Sequence, residues 1–181
     1  VLPNDAQTIH NCVTHLLDHG HRKIGMIMSP INTYKIRERR AGFLQAYADA
    51  GLTVDEELLF SFDDNNRWPV VSKERIIDFL KAHPELTALI LPGYRLTIAG
   101  VNALHHLGRK IGEDIALIGF DCGVINDVLN PPLTHIHLPA DEIAANAIEL
   151  LLNSIKCKEE RSPRIIRISA QKIDGGSVFR I

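Results

Sequence analysis

Apolar side chains recur along the chain in two alternating patterns, one typical of helices and one typical of buried strands. In the first helical segment, Ile9, Val13 and Leu16 share one face, and Gly20 stands where a C-terminal cap is common. The patterns predict helices at residues 5–20, 37–51, 70–83, 95–108 and 140–155. They predict strands at residues 21–29, 57–64, 86–93, 114–120 and 164–173, with a proline-containing loop before the last helix.

The order of these segments predicts the fold class. Strands alternate with helices of about 10 to 15 residues, which is typical of βαβ units and of a parallel sheet. The strands are apolar throughout rather than alternating, so both faces of the sheet need a cover. We therefore predict an α/β fold of three layers, a parallel sheet with helices on both faces.

Composition limits the functional classes. The 181 residues suit one domain or one large piece of a two-lobed protein, and 45% of them are apolar. With 20 basic and 22 acidic residues, the composition shows no excess of basic residues, and nucleic-acid binding usually needs a basic face. The three cysteines are far apart and no apolar run approaches the roughly 18 residues of a membrane span. No secretory signal opens the sequence, and we expect a soluble, cytoplasmic protein.

Candidate binding residues follow the predicted strands. Ligands of open α/β sheets bind beyond the carboxyl ends of the strands. That rule selects four segments: residues 29–30, 63–68, 92–94 and 121–123. Asp121 is the clearest polar group among them, although an acid at this position can equally cap a loop or a helix.

Four stretches of the sequence resemble a known family. "HLLDHGHRKIGMIM", "RERRAGFLQAYADAGL", "LGRKIGEDIALIGFD" and "PPLTHIHLPADEIAANAIELLL" are similar, in that order, to the effector-binding domain of the lac and galactose repressor (LacI/GalR) family. The family pattern has Gly-His-Arg-Arg-Ile, Arg-x-x-Gly-Phe, Gly-Phe-Asp-Asp and Pro-x-Leu-Thr. The resemblance covers roughly residues 5–155 and implies a type I periplasmic-binding-protein-like fold, with two lobes around a cleft.

The resemblance implies site residues. Arg39 matches the arginine of Arg-x-x-Gly-Phe, which contacts the effector in relatives, and its planar guanidinium suits sugar hydroxyls or a carboxylate. It also belongs to the basic cluster "RERR", in which it can instead be a surface arginine. Asp121 matches the first Asp of Gly-Phe-Asp-Asp, which accepts hydrogen bonds from effector hydroxyls in relatives. Trp68, the only tryptophan, falls near an aromatic residue that stacks on the effector, although a Trp before proline can instead start a helix.

Two departures from the family pattern affect the ligand. Relatives usually have Asn-Asp after the third strand, where this chain has Gly93 and Tyr94, so Tyr94 is expected to replace the contact of the missing Asn. The second Asp of Gly-Phe-Asp-Asp is Cys122 here. The identity of the effector therefore cannot be transferred from a relative.

The resemblance also implies missing parts. Relatives carry an N-terminal helix-turn-helix and most of a first lobe before the segment that matches this chain. Residues 1–181 are thus expected to form a fragment of the effector-binding domain, the C-terminal lobe with remnants of the N-terminal lobe. Its core would span about 22–138, and the helices within 1–21 and 139–155 would border the missing lobe. The apolar residues Ile143, Ala147, Leu150 and Leu151 should then be exposed or covered by another chain, which favours a homodimer.

Other chemistries have little support. His15 and His19 are four residues apart on one predicted helix and His21 follows, but the third ligand and the acidic base of a metal-binding helix are not found at the required spacing. No phosphate-binding or dinucleotide motif is present, so no metal and no cofactor are predicted. Cys122 lacks an identifiable base for nucleophilic catalysis. We therefore expect a ligand-sensing regulator that binds a small polar effector, most simply a sugar, and is not an enzyme. A transport-associated sugar-binding protein of the same fold, and a small α/β enzyme, remain alternatives.

Overall fold

The computed structural model describes residues 1–28, 33–62, 70–156 and 164–181. The helices are α1 (Asp5–Asp18), α2 (Tyr34–Asp49), α3 (Val70–Ala82), α4 (Tyr94–His106), the short α5 (Gly123–Asn126) and α6 (Ala140–Lys156). The strands are β1 (Leu2–Pro3), β2 (Ile24–Met28), β3 (Leu59–Ser61), β4 (Ala88–Ile90), β5 (Ala116–Phe120), β6 (Thr134–His137), β7 (Arg167–Ile168) and β8 (Gln171–Ile173), and a 3₁₀ turn covers Glu56–Leu58.

The main sheet has six strands in the order β3-β2-β4-β5-β6-β8. The first five are parallel, with Ile24 of β2 opposite Ala88 of β4, and Ala88 opposite Ala116 of β5. Among the strands that the structure describes in this sheet, β8 alone runs antiparallel, against β6. The predicted three-layer α/β fold is confirmed, and the antiparallel edge strand makes the sheet mixed.

Two apolar cores lie on opposite faces of this sheet. Because side chains alternate along a strand, Ile24, Met26 and Met28 of β2 join one core with α1 and α2, whereas Ile27 joins the other with α3 and α4. The strand β5 alternates in the same way, and its last residue, Phe120, belongs to the core of α1 and α2. Helices therefore cover both faces, as the apolar strands required.

Two segments differ from the sequence prediction. Residues 134–137, predicted as part of the proline-containing loop, form β6, which is only four residues long between Pro132 and Pro139. Residues 164–173, predicted as one strand, form the separate strands β7 and β8. They pair with different partners, since β7 lies beside β1 and β8 beside β6. The chain therefore leaves the extended pairing at Ser169 and Ala170.

The two helices predicted to border a missing lobe differ from each other. In α1, the side chains of Ile9, Val13 and Leu16 are fully buried against α2. In α6, none of the residues is buried. The first helix is thus part of the core of this fold, and α6 lies outside both cores.

The predicted apolar face of α6 is exposed in part. Ala147 and Leu151 are exposed, and Ile143 and Leu150 are half-buried. Three further large apolar side chains of α6 are also exposed: Ile148, Leu152 and Ile155. The described residues therefore leave a continuous apolar surface on this helix. None of the helices in the described ranges combines the length and the apolar character that crossing a bilayer requires.

Candidate functional site

The topology brings the predicted segments to one edge of the sheet. From β2 the chain passes through α2 to β3, which lies on one side of the adjacent pair β2 and β4. From β4 it passes through α4 to β5, which lies on the other side of that pair. Such a reversal opens a crevice at the carboxyl ends of the two strands, where ligands of this architecture bind. Of the four predicted segments, 92–94 and 121–123 are described. Residues 29–30 and 63–68, the latter including Trp68, lie outside the described residues.

Arg39 lies at this crevice, although its side chain is only 4% exposed. Its Nε donates to Oδ1 of Asp5 at 2.7 Å, and its Nη1 donates to the carbonyl of Pro92, just beyond β4. The guanidinium carbon lies 5.2 Å from the centroid of the Phe120 ring, a cation–π distance. Arg39 on α2 therefore joins the start of α1 to the carboxyl ends of β4 and β5.

Nη2 of Arg39 is the guanidinium nitrogen that neither Asp5 nor Pro92 contacts. It makes no hydrogen bond with any residue in the described ranges. A guanidinium carries five N–H groups, so the contacts to Asp5 and Pro92 leave the second N–H of Nη1 and both N–H groups of Nη2. Those of Nη2 are proposed to bind a ligand.

Asp5 is the buried counterion of Arg39. Its side chain is 8% exposed, and it stands in the first turn of α1. The unpaired backbone N–H groups at a helix N-terminus favour a carboxylate there. The position is thus suited to an ionised acid, which in turn lets α2 bury an arginine.

Lys35 adds a second cation near the pair. It lies one turn before Arg39 on α2 and is exposed. Partial desolvation lowers the pKa of Lys35 below its usual 10.5, and the positive charge of Arg39 lowers it further, while Asp5 and Asp121 oppose both effects. Two cations and two carboxylates therefore interact at this edge, and their formal charges sum to zero.

Asp121 directly follows β5 and has an unusual backbone. Its φ of 52° lies in the left-handed region, which Asp tolerates better than most residues. Its N–H donates to the carbonyl of Ile136 at 2.8 Å, and its Oδ1 accepts from the N–H of Leu138 at 3.2 Å. One carboxylate oxygen thus ties the end of β6, as a loop cap would. Within the described part of the chain, Oδ2 has no hydrogen-bond partner.

Tyr94 begins α4, two residues after the carbonyl that Arg39 binds. Its side chain is 46% exposed, and its hydroxyl makes no hydrogen bond with any described residue. A ring and a hydroxyl are therefore present at the edge where relatives have Asn-Asp. Its contact with an effector stays a prediction, as do those of Arg39, Asp121 and Trp68.

Catalytic and metal chemistry gain no support from the described residues. Cys122 is fully buried, and its burial raises the pKa of the thiol to about 11, so the nucleophilic thiolate is rare. His21 is buried as well, with its ring nitrogens beside the Thr87 hydroxyl and the Phe179 carbonyl. In the described ranges, no three His, Cys, Asp or Glu side chains converge as metal ligands would.

A separate cavity of about 540 Å³ lies at the opposite edge of the sheet. It is lined by the C-terminal end of α4 and by the loops before β5 and β6, including Val101, His105, Arg109 and Pro131. Of the predicted site residues that the structure describes, namely Arg39, Tyr94 and Asp121, none lines this cavity.

The sequence prediction did not include Asp5 and Lys35. An acid in the first turn is common in any helix, so Asp5 carried no signal of a buried partner. Lys35 gave no stronger signal, because it precedes the basic cluster that contains Arg39.

Comparison with known proteins agrees with this architecture. The model of the periplasmic binding protein-like domain family matches residues 13–178. The HTH-type transcriptional repressor PurR of Aliivibrio salmonicida is 28% identical over 181 residues, covering 100% of this chain and 53% of the relative. The chain thus spans about half the length of the curated relatives it matches, which are named as repressors and not as enzymes.

Solved structures share the fold. A sugar-binding transcriptional regulator of the LacI family from Escherichia coli, complexed with phosphate, superposes with a TM-score of 0.83 at 24% identity, covering 100% of this chain and 63% of that one. The transcriptional regulator CelR in complex with cellobiose superposes with a TM-score of 0.84 at 22% identity, covering 97% and 52%. The chain belongs to the family of periplasmic binding protein-like domains, and its predicted resemblance to the effector-binding domain of LacI-family regulators is confirmed.

Proposed function

We propose that this chain is the ligand-sensing portion of a LacI/GalR-type, DNA-binding transcriptional regulator of the cytoplasm, without enzymatic activity. A small polar effector, most simply a sugar, would bind in the interlobe cleft and modulate operator binding. The observation that carries the proposal is the position of Arg39, which joins α1 to the carboxyl ends of β4 and β5, the strand that Asp121 directly follows. Family membership and the regulatory relatives support it.

The chemistry of the edge suits a polyol. Nη2 of Arg39 offers donors and Oδ2 of Asp121 offers an acceptor, and a sugar hydroxyl can serve both. Tyr94 would shape the pocket from the start of α4, and Trp68 would stack on a sugar face. The cellobiose bound to the similar regulator CelR favours a sugar as the first class to test.

The proposed mechanism needs two lobes and two protomers. An effector that binds one arrangement of the lobes more tightly shifts the equilibrium toward that arrangement. In a homodimer, the shift would change the separation of two N-terminal DNA-binding domains, so effector binding and operator binding would be coupled. This chain would contribute one wall of the cleft.

The exposed apolar face of α6 supports the two-lobed arrangement. Ile148, Leu151, Leu152 and Ile155 are between 49% and 70% exposed, and a contiguous apolar surface of this kind marks an interface. We propose that the N-terminal lobe, which α6 would border, covers this apolar face. A second protomer is the alternative cover.

A thermal-shift panel of sugars, sugar phosphates and nucleosides tests the proposal on a longer chain that carries both lobes. An effector at a hundred times its dissociation constant should stabilise the protein by about 2.7 kcal/mol. The stabilisation should disappear in Asp121→Ala. It should persist in the matched control Asp78→Ala, which changes an exposed acid on α3.

Two other outcomes would redirect the proposal. A panel without a stabilising compound, or one whose effect is the same in Asp121→Ala, would leave Asp121 as a loop cap and the sensor without support. A secretion signal upstream of residue 1, in place of a helix-turn-helix, would favour a transport-associated sugar-binding protein.

A further inference from the structure

Arg39 reaches the candidate site with its charge already balanced. The Nε–Oδ1 distance to Asp5 is 2.7 Å, and the two side chains are only 4% and 8% exposed. Two opposite charges this close together act as a dipole, so the pair exerts a much weaker field at the crevice than a lone guanidinium would. The donors on Nη2 remain, but the net positive charge does not.

A neutralised guanidinium discriminates between ligand oxygens. It still donates hydrogen bonds to a hydroxyl or a carbonyl oxygen, because those need a donor and no counterion. A carboxylate or phosphate gains its additional affinity for arginine from the charge. An anion beside Nη2 would also lie near the Asp5 carboxylate and be repelled by it.

The surrounding charges do not restore an anion site. Lys35 adds one positive charge and Asp121 one negative charge to the Arg39–Asp5 pair. Lys35 is exposed by surface area but partly desolvated, and Asp121 lies half-buried at the end of β5. The formal charges of Lys35 and Asp121 cancel, so the groups around the pair add no net positive charge for an anion.

We propose that Asp5 is a specificity-determining residue, which makes this site select uncharged polar effectors and reject anionic ones such as sugar phosphates and sugar acids. The proposal rests on the proposed function, since it concerns the effector of the same site. Asp5 acts on the ligand through Arg39, whose charge it balances and whose Nε it occupies.

The test removes the charge of Asp5 with the smallest change of shape. Asp5→Asn keeps the size of the side chain, and its amide oxygen can still accept from Nε of Arg39. The probe is inorganic phosphate, titrated against sodium chloride of equal ionic strength, with thermal shift and calorimetry on the full chain. The original protein should show no phosphate-specific stabilisation, and Asp5→Asn should bind phosphate at least about tenfold more tightly.

Two controls separate this effect from a general change of charge. Asp18→Asn makes the same change of charge at the exposed, opposite end of α1, and should not gain phosphate affinity. The double variant Asp5→Asn, Arg39→Gln should lose the gain, because the freed guanidinium is the proposed anion ligand.

Equal phosphate affinity in Asp5→Asn and the original protein would overturn the proposal. If Asp5→Asn fails to fold, phosphate is titrated into the original protein instead. Stabilisation by phosphate that disappears in Arg39→Gln would overturn the proposal, and a lack of stabilisation by phosphate would support it. Neither arm needs an effector. If Asp5→Asn gains phosphate binding but no compound of the ligand panel stabilises the protein, the proposed sensing function is rejected and the role of Asp5 is kept. If a sugar stabilises the protein but Asp5→Asn gains no phosphate binding, the sensing function is kept and the role of Asp5 is rejected.

Discussion

Gly42 on α2 lies directly against the backbone of Ala6 on α1. A Cβ atom at position 42 would stand 2.0 Å from the carbonyl oxygen of Ala6, a distance that no real contact allows. The close approach brings the first turn of α1 onto α2 beside the Asp5–Arg39 pair. Two positions of the Arg-x-x-Gly-Phe motif, Arg39 and Gly42, thus both contact the first turn of α1.

Gly42→Ala should therefore destabilise the fold. The new methyl group must push α1 away from α2, and overpacking of this kind costs about 1–3 kcal/mol, more than the gain in helix propensity of about 1 kcal/mol. Urea unfolding followed by circular dichroism measures the change. Ala41→Ser, at the exposed neighbouring position, is the control and should change the free energy of unfolding little. A Gly42→Ala protein as stable as the original would show that α1 and α2 can move apart without a loss of stability.

Asp5→Ala should destabilise the fold by more. It leaves the Arg39 guanidinium buried without its counterion, and breaking a buried pair in this way costs about 3–5 kcal/mol. The same urea experiment measures the loss, with Asp18→Ala as the matched control on α1. A loss no greater than that of the control would mean that Arg39 finds water or another partner once Asp5 is gone.

The regular parts of the fold follow from local sequence. Gly20, Gly51 and Gly108 have φ values between 68° and 96°, a backbone that glycine adopts without strain, and each follows a helix whose apolar spacing was readable. The strand β6 was not readable, since its four residues include two histidines and stand between prolines. Its partner β8 follows only after α6 and β7, so no local pattern indicates that pairing.

The site was predictable only as far as its location. Asp121 was selected because ligands bind beyond the carboxyl ends of the strands, and Arg39 was selected by the family resemblance. The Asp5–Arg39 pair, however, joins residues 34 positions apart. No local pattern encodes such a pairing. The burial of Arg39 also differs from the surface position that its cluster "RERR" suggests, because the helix turns this one member toward Phe120.

Two thiols should resist alkylation in the native protein. Burial raises the pKa of Cys12 to about 12 and that of Cys122 to about 11, from an ordinary 9.0. At pH 8 each therefore carries at most about a hundredth of the usual thiolate, which is the reactive form. Iodoacetamide labelling followed by mass spectrometry should modify Cys12 and Cys122 only after denaturation. Rapid native labelling of Cys122 would contradict its burial and would reopen a nucleophilic role.

His21 should make the fold less stable in mild acid. Burial lowers the pKa of His21 below its ordinary 6.5, so the folded protein holds the neutral ring while the unfolded chain takes up a proton first. The stabilisation is complete above about pH 6.5 and is lost as the pH falls through the lower pKa of the folded state. Urea midpoints at pH 7.5 and pH 5 should differ less in His21→Gln than in the original protein. An unchanged difference would assign the acid sensitivity to other groups, such as His15, whose pKa is also lowered.

The most direct test of the proposed site is a crystal structure of the two-lobed protein with the best compound of the ligand panel. The measured quantities are the distances from ligand oxygens to Nη2 of Arg39 and Oδ2 of Asp121. We expect both within hydrogen-bonding range, about 2.7–3.2 Å. A ligand seated instead in the cavity beside Val101 and Pro131, with no atom near Asp121, would contradict the account and reduce Asp121 to a tie between β5 and β6.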